Sequence, residues 1–305
     1  MLEQKTRVWT IRDLMKFAID HMQRRGFDET RLNVELLLSH ALKCHRIQLY
    51  TNFDQPLTND ELKTFRAFYE RRLNREPVQY IVGVASFMGL QFQVDPRVLI
   101  PRPETETLVE QTMLVCQQLK ADRPIWIIEI GTGSGNIAVS LAKFIKNANI
   151  CTIDVSEEAL ELARANATRH AVESLISFER MDVFEPVDQL LLKRFDVLVS
   201  NPPYVSMKDW ETLQLEVRKY EPRGAVCDGR DGFTYYRRII ELAPYLLRDE
   251  GGLVLELGDH QSESVVGMMR EAGFASLSVV PDLQGLPRVV SSSCRSKTRN
   301  QRFAN

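Results

Sequence analysis

The sequence predicts an α/β protein: a doubly wound, seven-stranded Rossmann-like sheet, preceded by a small N-terminal helical bundle and joined to it by a β-hairpin. Three observations carry this. Apolar residues recur at helical spacing up to about Gln79, the period then changes to two, and from about residue 97 short apolar runs alternate with amphipathic helices, as successive βαβ units require. The predicted domains are therefore 1–76 (helical), 77–96 (hairpin linker), 97–293 (α/β) and 294–305 (a solvated, disordered basic tail).

The first helix is expected to bury Trp9, Leu14, Phe17, Ala18 and Met22, with Thr10 as N-cap and Gly26 as stop. Asp28 opens a second, carrying Leu32, Val34, Leu36, Leu37, Ala41 and Leu42. Thr58 and Glu61 have the spacing of a capping box ahead of Leu62, Phe65, Tyr69 and Leu73. Such a bundle either packs on itself behind a charged face or docks a macromolecular partner, and the residues alone do not separate the two. Tyr80, Val82, Val84 and then Phe87, Leu90, Phe92, Val94 read as a hairpin turning near Met88-Gly89. Asp95-Pro96-Arg97-Val98-Leu99-Ile100-Pro101-Arg102-Pro103-Glu104-Thr105-Glu106 follows, an extended loop stiffened by three prolines that serves as a linker or as one wall of an active site; Pro103 suits the first turn of the next helix.

Ile125–Ile130 is a strand that runs straight into Gly131-Thr132-Gly133-Ser134-Gly135-Asn136 and a helix. A glycine turn there lets a ligand approach backbone N–H groups at the first switch of the sheet. A second strand ends at Asp154, roughly 20 residues on, where an acid can accept both hydroxyls of a ribose. Any nucleoside cofactor would use that pair. The glycines are spaced GxGxG, however, and Glu129 stands two residues before them; a pyrophosphate would be repelled by that carboxylate, whereas the sulfonium and amino group of S-adenosylmethionine are attracted to it. The bland alternative is a Glu129 satisfied by internal bonds. A third strand, 176–180, leads to Asp182 and Val183, an acid and an apolar residue able to hold an adenine by its amino group and its face.

The fourth strand, Phe195-Asp196-Val197-Leu198-Val199-Ser200, stops at Asn201-Pro202-Pro203-Tyr204. Two prolines forbid further ladder pairing and leave a turn with no N–H of its own at either position. It offers acceptors: the Asn201 side-chain oxygen and the Pro202 carbonyl could take both hydrogens of a planar NH2 group, Pro203 would keep the turn rigid, and the Tyr204 ring could lie on the group's face. Val205 to Gly232 is a long polar stretch, read as a lid over this turn. Helices at 235–247 and 263–272 and strands at 253–257, 275–280 and 288–292 complete the sheet.

Composition narrows the function. With 44% hydrophobic and 26% charged residues and a net charge of −2, the chain lacks the basic balance of a protein that coats nucleic acid. The cysteines are scattered, with no CxxC and no ligand-like pairing with histidine, so neither a metal site nor a disulfide framework is expected. No apolar run approaches the ~18 residues of a membrane span, and the expected location is the cytoplasm with no membrane partner.

From residue 8 to 292 these features resemble the HemK or PrmC family, the glutamine methyltransferases of peptide-chain release factors: the helical bundle, the hairpin, the Arg102-Pro103-Glu104-Thr105-Glu106 loop, Glu129 with Gly131 to Gly135, Asp154, Asn201 to Tyr204, and Glu221-Pro222-Arg223. The resemblance implies methyl transfer from S-adenosylmethionine, leaving S-adenosylhomocysteine, to the side-chain amide nitrogen of the glutamine in the Gly-Gly-Gln loop of release factors. It implies Asn201, Pro202 and Tyr204 in catalysis; Glu129, Gly131, Thr132, Gly133, Ser134, Gly135, Asp154, Asp182, Val183 and Asn201 at the cofactor; and Asn201, Pro202, Pro203, Tyr204, Arg102 and Glu104 at the substrate, with no metal and no direct nucleic-acid substrate. Val183 departs from the aromatic that many relatives carry. Two alternatives share the acceptor turn: a glutamine methyltransferase of a ribosomal protein, and an amino methylase of nucleic-acid bases.

Overall fold

The computed structural model of the chain describes residues 8–119, 123–186 and 191–295, the last three by backbone only. Two compact units emerge. One takes the chain up to Val84 together with Leu215–Tyr220; the other comprises Ala85–Gln214 and the chain from Glu221 onward.

In the first unit, α1 (Ile11–Arg24), α2 (Thr30–Leu42), α3 (Arg46–Thr51), α4 (Asn59–Leu73) and α5 (Val78–Val82) enclose a core of Leu14, Met22, Val34, Leu37, Leu38, Leu49 and Phe65. Thr10 caps α1, accepting from the Asp13 N–H at 3.2 Å, and the Thr58/Glu61 capping box opens α4. Phe17 departs from expectation. The buried stripe of α1 is Ile11, Leu14, Met15, Ala18 and Met22, and Phe17 lies off it, half exposed and packed edge-on to Trp9. Tyr80 and Val82 also correct the sequence reading: they sit in the single turn of α5, not in a strand, because Gly83 at φ +74° ends the turn and a five-residue run is too short for periodicity to tell helix from strand.

The unit is tied to Leu215–Tyr220, a short helix from much later in the chain. Glu216 accepts from Arg72 at 3.1 Å and from Arg75 at 3.3 Å, both guanidinium groups stand over the Phe27 ring, and the Tyr220 hydroxyl donates to the Asn74 carbonyl at 2.9 Å. The stretch after the acceptor turn is therefore not one loop. It holds short helices at Met207–Trp210, Leu215–Tyr220 and Arg223–Val226, and its middle belongs to the helical unit.

The second unit begins within the hairpin, at Ala85 of β1 (Val84–Phe87), and continues through β2 (Leu90–Gln93); the turn residues Met88 and Gly89 both have positive φ, as a tight two-residue loop requires. The remaining strands, β3 (Ile125–Ile130), β4 (Ala148–Asp154), β5 (Ile176–Arg180), β6 (Phe195–Ser200), β7 (Leu247–Glu256), β8 (Phe274–Pro281) and β9 (Pro287–Arg295), form one sheet in the order β5-β4-β3-β6-β7-β9-β8. Pairing is parallel from β5 to β7, and β9 is antiparallel to both its neighbours. The basic tail expected from 294 lies outside the described residues, except that the backbone of 294 and 295 closes β9.

Every residue of β6 is buried, as a central parallel strand dictates. Asp196 is the exception in chemistry. Arg123 and Arg248 donate to its carboxylate at 2.6 and 2.7 Å and the Trp126 N–H at 2.9 Å, so that although burial pushes its pKa up, these partners hold it below the usual carboxylate range.

Candidate functional site

The chain leaves β3 for β4 on one side and returns as β6 on the other, so the sheet has its switch point between β3 and β6. Their register, Glu129 beside Val199 and Ile130 beside Ser200, brings Gly131 and Asn201 out of the sheet as neighbours. Ser200 Oγ donates to the Ile130 carbonyl at 2.7 Å and stitches the two exits together. A Cβ on Gly131, which has φ +88°, would stand 3.8 Å from the Asn201 carbonyl, so it is the positive φ that calls for glycine here.

Above these ends lies a cavity of about 530 Å³. Of the residues singled out in the sequence, Gly131, Gly133, Asp154, Asp182, Val183, Asn201, Pro202 and Pro203 line it. Glu129, Thr132, Ser134 and Gly135 do not. Thr152 donates to Glu129 Oε2 and is itself bonded to Thr132 Oγ1 at 2.7 Å, while Glu129 Oε1 is buried without a partner. Burial is the chief cause that pushes the Glu129 pKa up to about 8, against the Thr152 bond and with the nearby Asp154 charge. Gly135 works in packing: a Cβ there would come within 2.9 Å of Ala163 Cβ on the helix Glu157–Arg169.

The glycine turn differs from expectation in one respect. Its N–H groups are largely spent inside the protein: those of Gly131 and Thr132 donate to the Ile153 carbonyl, that of Gly133 to Asp154 Oδ2 at 3.1 Å, and that of Gly135 to the Thr132 carbonyl. A phosphate cradle needs such donors free; this turn presents an edge of Cα atoms and the Asp154 carboxylate. Asp154 is held by Gly133 and by the Ser156 N–H at 2.9 Å, with lone pairs left toward the cavity. At the far rim Phe184 packs edge-on to Tyr235 at 5.3 Å, so the aromatic wall comes from the residue after Val183.

Asn201 is oriented. Its Nδ2 donates to Thr105 Oγ1 at 3.1 Å, which leaves Oδ1 as the end of the amide with acceptor capacity to spare. Tyr204 lies off the cavity wall: its ring stands against Gly258, its carbonyl accepts from Gln261 Nε2 at 3.0 Å, and its hydroxyl donates to Glu256 Oε1 at 3.4 Å. Glu256 is buried, and burial pushes its pKa up to about 7 against the Thr105 hydrogen bond and the Arg288 charge.

Arg102 and Glu104 do not line the cavity either. Arg102 donates to the buried Glu221, whose other oxygen accepts from the Ile100 N–H at 3.1 Å, so the Pro/Arg loop is clamped to the segment that supplies Pro222, Gly224 and Ala225 to the wall. Glu106 accepts from the Met88 N–H at 2.6 Å and holds the hairpin turn. The Pro96–Leu99 part of the proline loop lines the cavity, as the wall reading of that loop expects. Two contributors have no role of their own in the sequence reading: Thr105 and Glu256. A lone glutamate within the apolar run 253–257 is the one signal that could have raised the last.

Comparison with known proteins bears on the family. Residues 13–83 match the model of the PrmC N-terminal domain, and 106–217 that of the methyltransferase small domain. The release factor glutamine methyltransferase of Geobacter sulfurreducens is 42% identical over 95% of this chain and 98% of its own, and that of Chlorobaculum tepidum 44% identical over 95% and 99%. The chain belongs to the release factor glutamine methyltransferase family. Among solved structures, the hMettl16 catalytic domain has a TM-score of 0.52 at 15% identity, covering 80% of this chain and 86% of that one, a likeness of fold alone. Among the described residues no helix is long and apolar enough to cross a membrane. Within this family frame, the acceptor turn and the cavity are the features that bear on chemistry.

Proposed function

We propose that this chain methylates the side-chain amide nitrogen of a glutamine in peptide-chain release factors, that of the Gly-Gly-Gln loop, with S-adenosylmethionine as donor. One observation carries the reading: an acceptor-rich turn, Asn201-Pro202-Pro203, opens at the switch point into the same cavity as Asp154. The family of its relatives supports the substrate.

The residues fit the cofactor. A glycine turn whose N–H groups are already bonded suits a ligand without phosphates, Asp154 has acceptor capacity for a ribose, and Asp182, Val183 and Phe184 offer an acid, an apolar face and an aromatic to a base. The buried, unpartnered Glu129 Oε1 supplies negative potential behind the turn once ionised. When bound, S-adenosylmethionine supplies an electrophilic methyl group and leaves as S-adenosylhomocysteine.

An amide nitrogen is a poor nucleophile because its lone pair is conjugated with the carbonyl. The task of the protein is to hold that nitrogen still and aim it. Asn201 Oδ1 and the Pro202 carbonyl accept the two N–H bonds, which fixes the plane of the NH2 group. Pro203 removes backbone freedom from the turn, and Tyr204 braces it from behind through Gln261 and Glu256. The amide nitrogen becomes strongly acidic as its bond to the methyl carbon forms and the methyl–sulfonium bond breaks; its extra proton is then lost to solvent water, so no pre-formed strong base is needed, and the two carbonyl acceptors position the N–H bonds without keeping the proton. Arg102 and Glu104 act on the substrate side by shaping the loop that precedes Thr105. The helical unit, 8–84 with Leu215–Tyr220, has the size and separate core of a docking module for the release factor. A protein that modifies release factors works in the compartment of translation, the cytoplasm.

The test is methyl transfer from labelled S-adenosylmethionine to purified release factor, to its Gly-Gly-Ala variant, and to duplex DNA. Label on the first alone is the expected result. Label on DNA, or equal label on the Gly-Gly-Ala variant, overturns the substrate.

A further inference from the structure

We infer that Thr105 and Glu256 are positioning residues that select which end of the Asn201 side chain faces the substrate; the inference rests on the methyl-transfer reading above. A carboxamide has a donor end and an acceptor end of nearly equal shape, so shape alone does not orient it. For Asn201 the choice decides function. With Oδ1 toward an incoming NH2 group the pair is acceptor to donor, and with Nδ2 toward it two donors oppose each other.

The choice is made behind the turn. Asn201 Nδ2 donates to Thr105 Oγ1 at 3.1 Å, and Thr105 is itself buried at the first turn of the helix Thr105–Gln118. A threonine hydroxyl can donate as well as accept, so it would hold either end of the amide unless its own proton were directed elsewhere. Glu256 is the group that directs it. It is fully enclosed on β7, bonded by the Thr105 hydroxyl and accepting from Tyr204 at Oε1. In its ionised form, which prevails above about pH 7, the Glu256 carboxylate has lone pairs and no proton, so it draws the Thr105 hydroxyl hydrogen toward itself and leaves Oγ1 as an acceptor for Asn201. The same carboxylate holds Tyr204 at the other end of the turn, so Asn201 and Tyr204 are referred to one buried anchor. A buried acid is costly, and a strand residue there gains nothing from it in packing. Its position behind both flanks of the acceptor turn accounts for the cost.

The experiment compares the full chain with Thr105→Val, Thr105→Ser and Glu256→Gln, measuring kcat and KM for release factor, the Kd for S-adenosylmethionine by calorimetry, and the thermal midpoint. Thr105→Val keeps the shape and loses the acceptor: kcat should fall about 100-fold or more, the scale of a misplaced reacting group, with the cofactor Kd within about threefold. Thr105→Ser restores the hydroxyl and should recover kcat to within about fivefold of the parent. Glu256→Gln presents an N–H to Thr105 and should also lower kcat, by about 10-fold or more. Wild-type kcat in Thr105→Val or in Glu256→Gln overturns the inference. So does a Thr105→Ser variant as slow as Thr105→Val, or a loss of kcat that only tracks a loss of thermal stability. Should Thr105→Val fail to fold, the other two variants decide by the same criteria. Failure of the parent chain to methylate release factor would instead refute the substrate reading, before any variant is compared.

Discussion

Arg102 and Glu221, 119 positions apart, form an ion pair at 2.5 Å in which the carboxylate is almost wholly enclosed and the guanidinium about one third exposed. Glu221 also accepts from the Ile100 N–H, so one side chain fastens the proline-rich loop at two points. Replacing Glu221 with Ala leaves the Ile100 N–H unpaired in the interior. Stability should fall by about 1–3 kcal/mol, the cost of an unsatisfied buried donor, and less than the ~3–5 kcal/mol of a fully buried broken pair because Arg102 keeps access to water. Since Val98 and Leu99 line the cavity on the same loop, cofactor Kd should rise as well. Denaturant titration and calorimetry measure the two effects, and an unchanged midpoint would refute the clamp.

Asn201→Ala removes the side-chain acceptor and leaves the Pro202 carbonyl. Methyl transfer should drop by about 100-fold or more while cofactor affinity changes little, because positioning of the amide nitrogen is lost and the cavity is not. If cofactor binding disappeared together with transfer, Asn201 would be a cofactor residue and not a substrate one.

Asp154 stands at the carboxyl end of β4, with Gly133 and Ser156 bonded to its carboxylate. Asp154→Asn keeps the size and one acceptor but loses the charge and puts an NH2 against one of two N–H donors. A charge-assisted hydrogen bond contributes about 1.5–3 kcal/mol, so the Kd for S-adenosylmethionine should rise about 10- to 100-fold. Equal affinity in parent and variant would remove Asp154 from the cofactor site.

Glu129 makes stability depend on pH in a definite sense. Its pKa is pushed from the ordinary 4.5 to about 8, chiefly by burial, so between those values the native chain keeps a proton that the unfolded chain has released. Unfolding then loses protons, and stability falls as pH rises through that window. Glu256, pushed up to about 7, acts in the same sense over the lower part of it. Denaturant unfolding of the cofactor-free chain between about pH 5 and pH 8 should show a decline that is shallower in Glu129→Gln. Parallel slopes in parent and variant would mean that Glu129 is ionised throughout.

Glu216 holds Arg72 and Arg75 over Phe27, and Arg72 is buried. In Glu216→Ala the Arg72 charge is left with neutral partners: the Asn33 oxygen, the Glu76 carbonyl and the Phe27 ring. The helical unit should lose about 2–4 kcal/mol, and amides of 215–220 should exchange faster with solvent. Unaltered exchange there would mean that this helix is held by something other than the pair.

Much of this protein is legible in the order of its residues because the relevant physics is local. Short β-branched runs next to glycine or to Pro-Pro can only be strands that end, and the period changes between helix and strand at places that the chain itself marks. Gly131, Asp154 and Asn201 could be brought together in advance as cavity-lining residues because each follows such a run, and in a parallel sheet every such end lies at one edge. The capping box at Thr58 and the acceptor character of the turn are likewise properties of a few consecutive residues.

What only the tertiary structure decided concerns partners far apart in sequence. Nothing near Thr105 says that it receives the Asn201 amide, 96 positions away, and nothing near Glu256 says that it stands behind Tyr204. Phe17 reads as core until the buried stripe of α1 passes beside it, and residues 78–82 read as strand until Gly83 closes them into a turn of helix. Side chains that bond across the sheet answer to the register and order of strands, which a one-dimensional pattern does not contain. The sequence by itself determined the elements, the edge at which the site opens and the acceptors it presents; the fold decided which end of Asn201 is free, because hydrogen-bond direction depends on partners that only packing brings together.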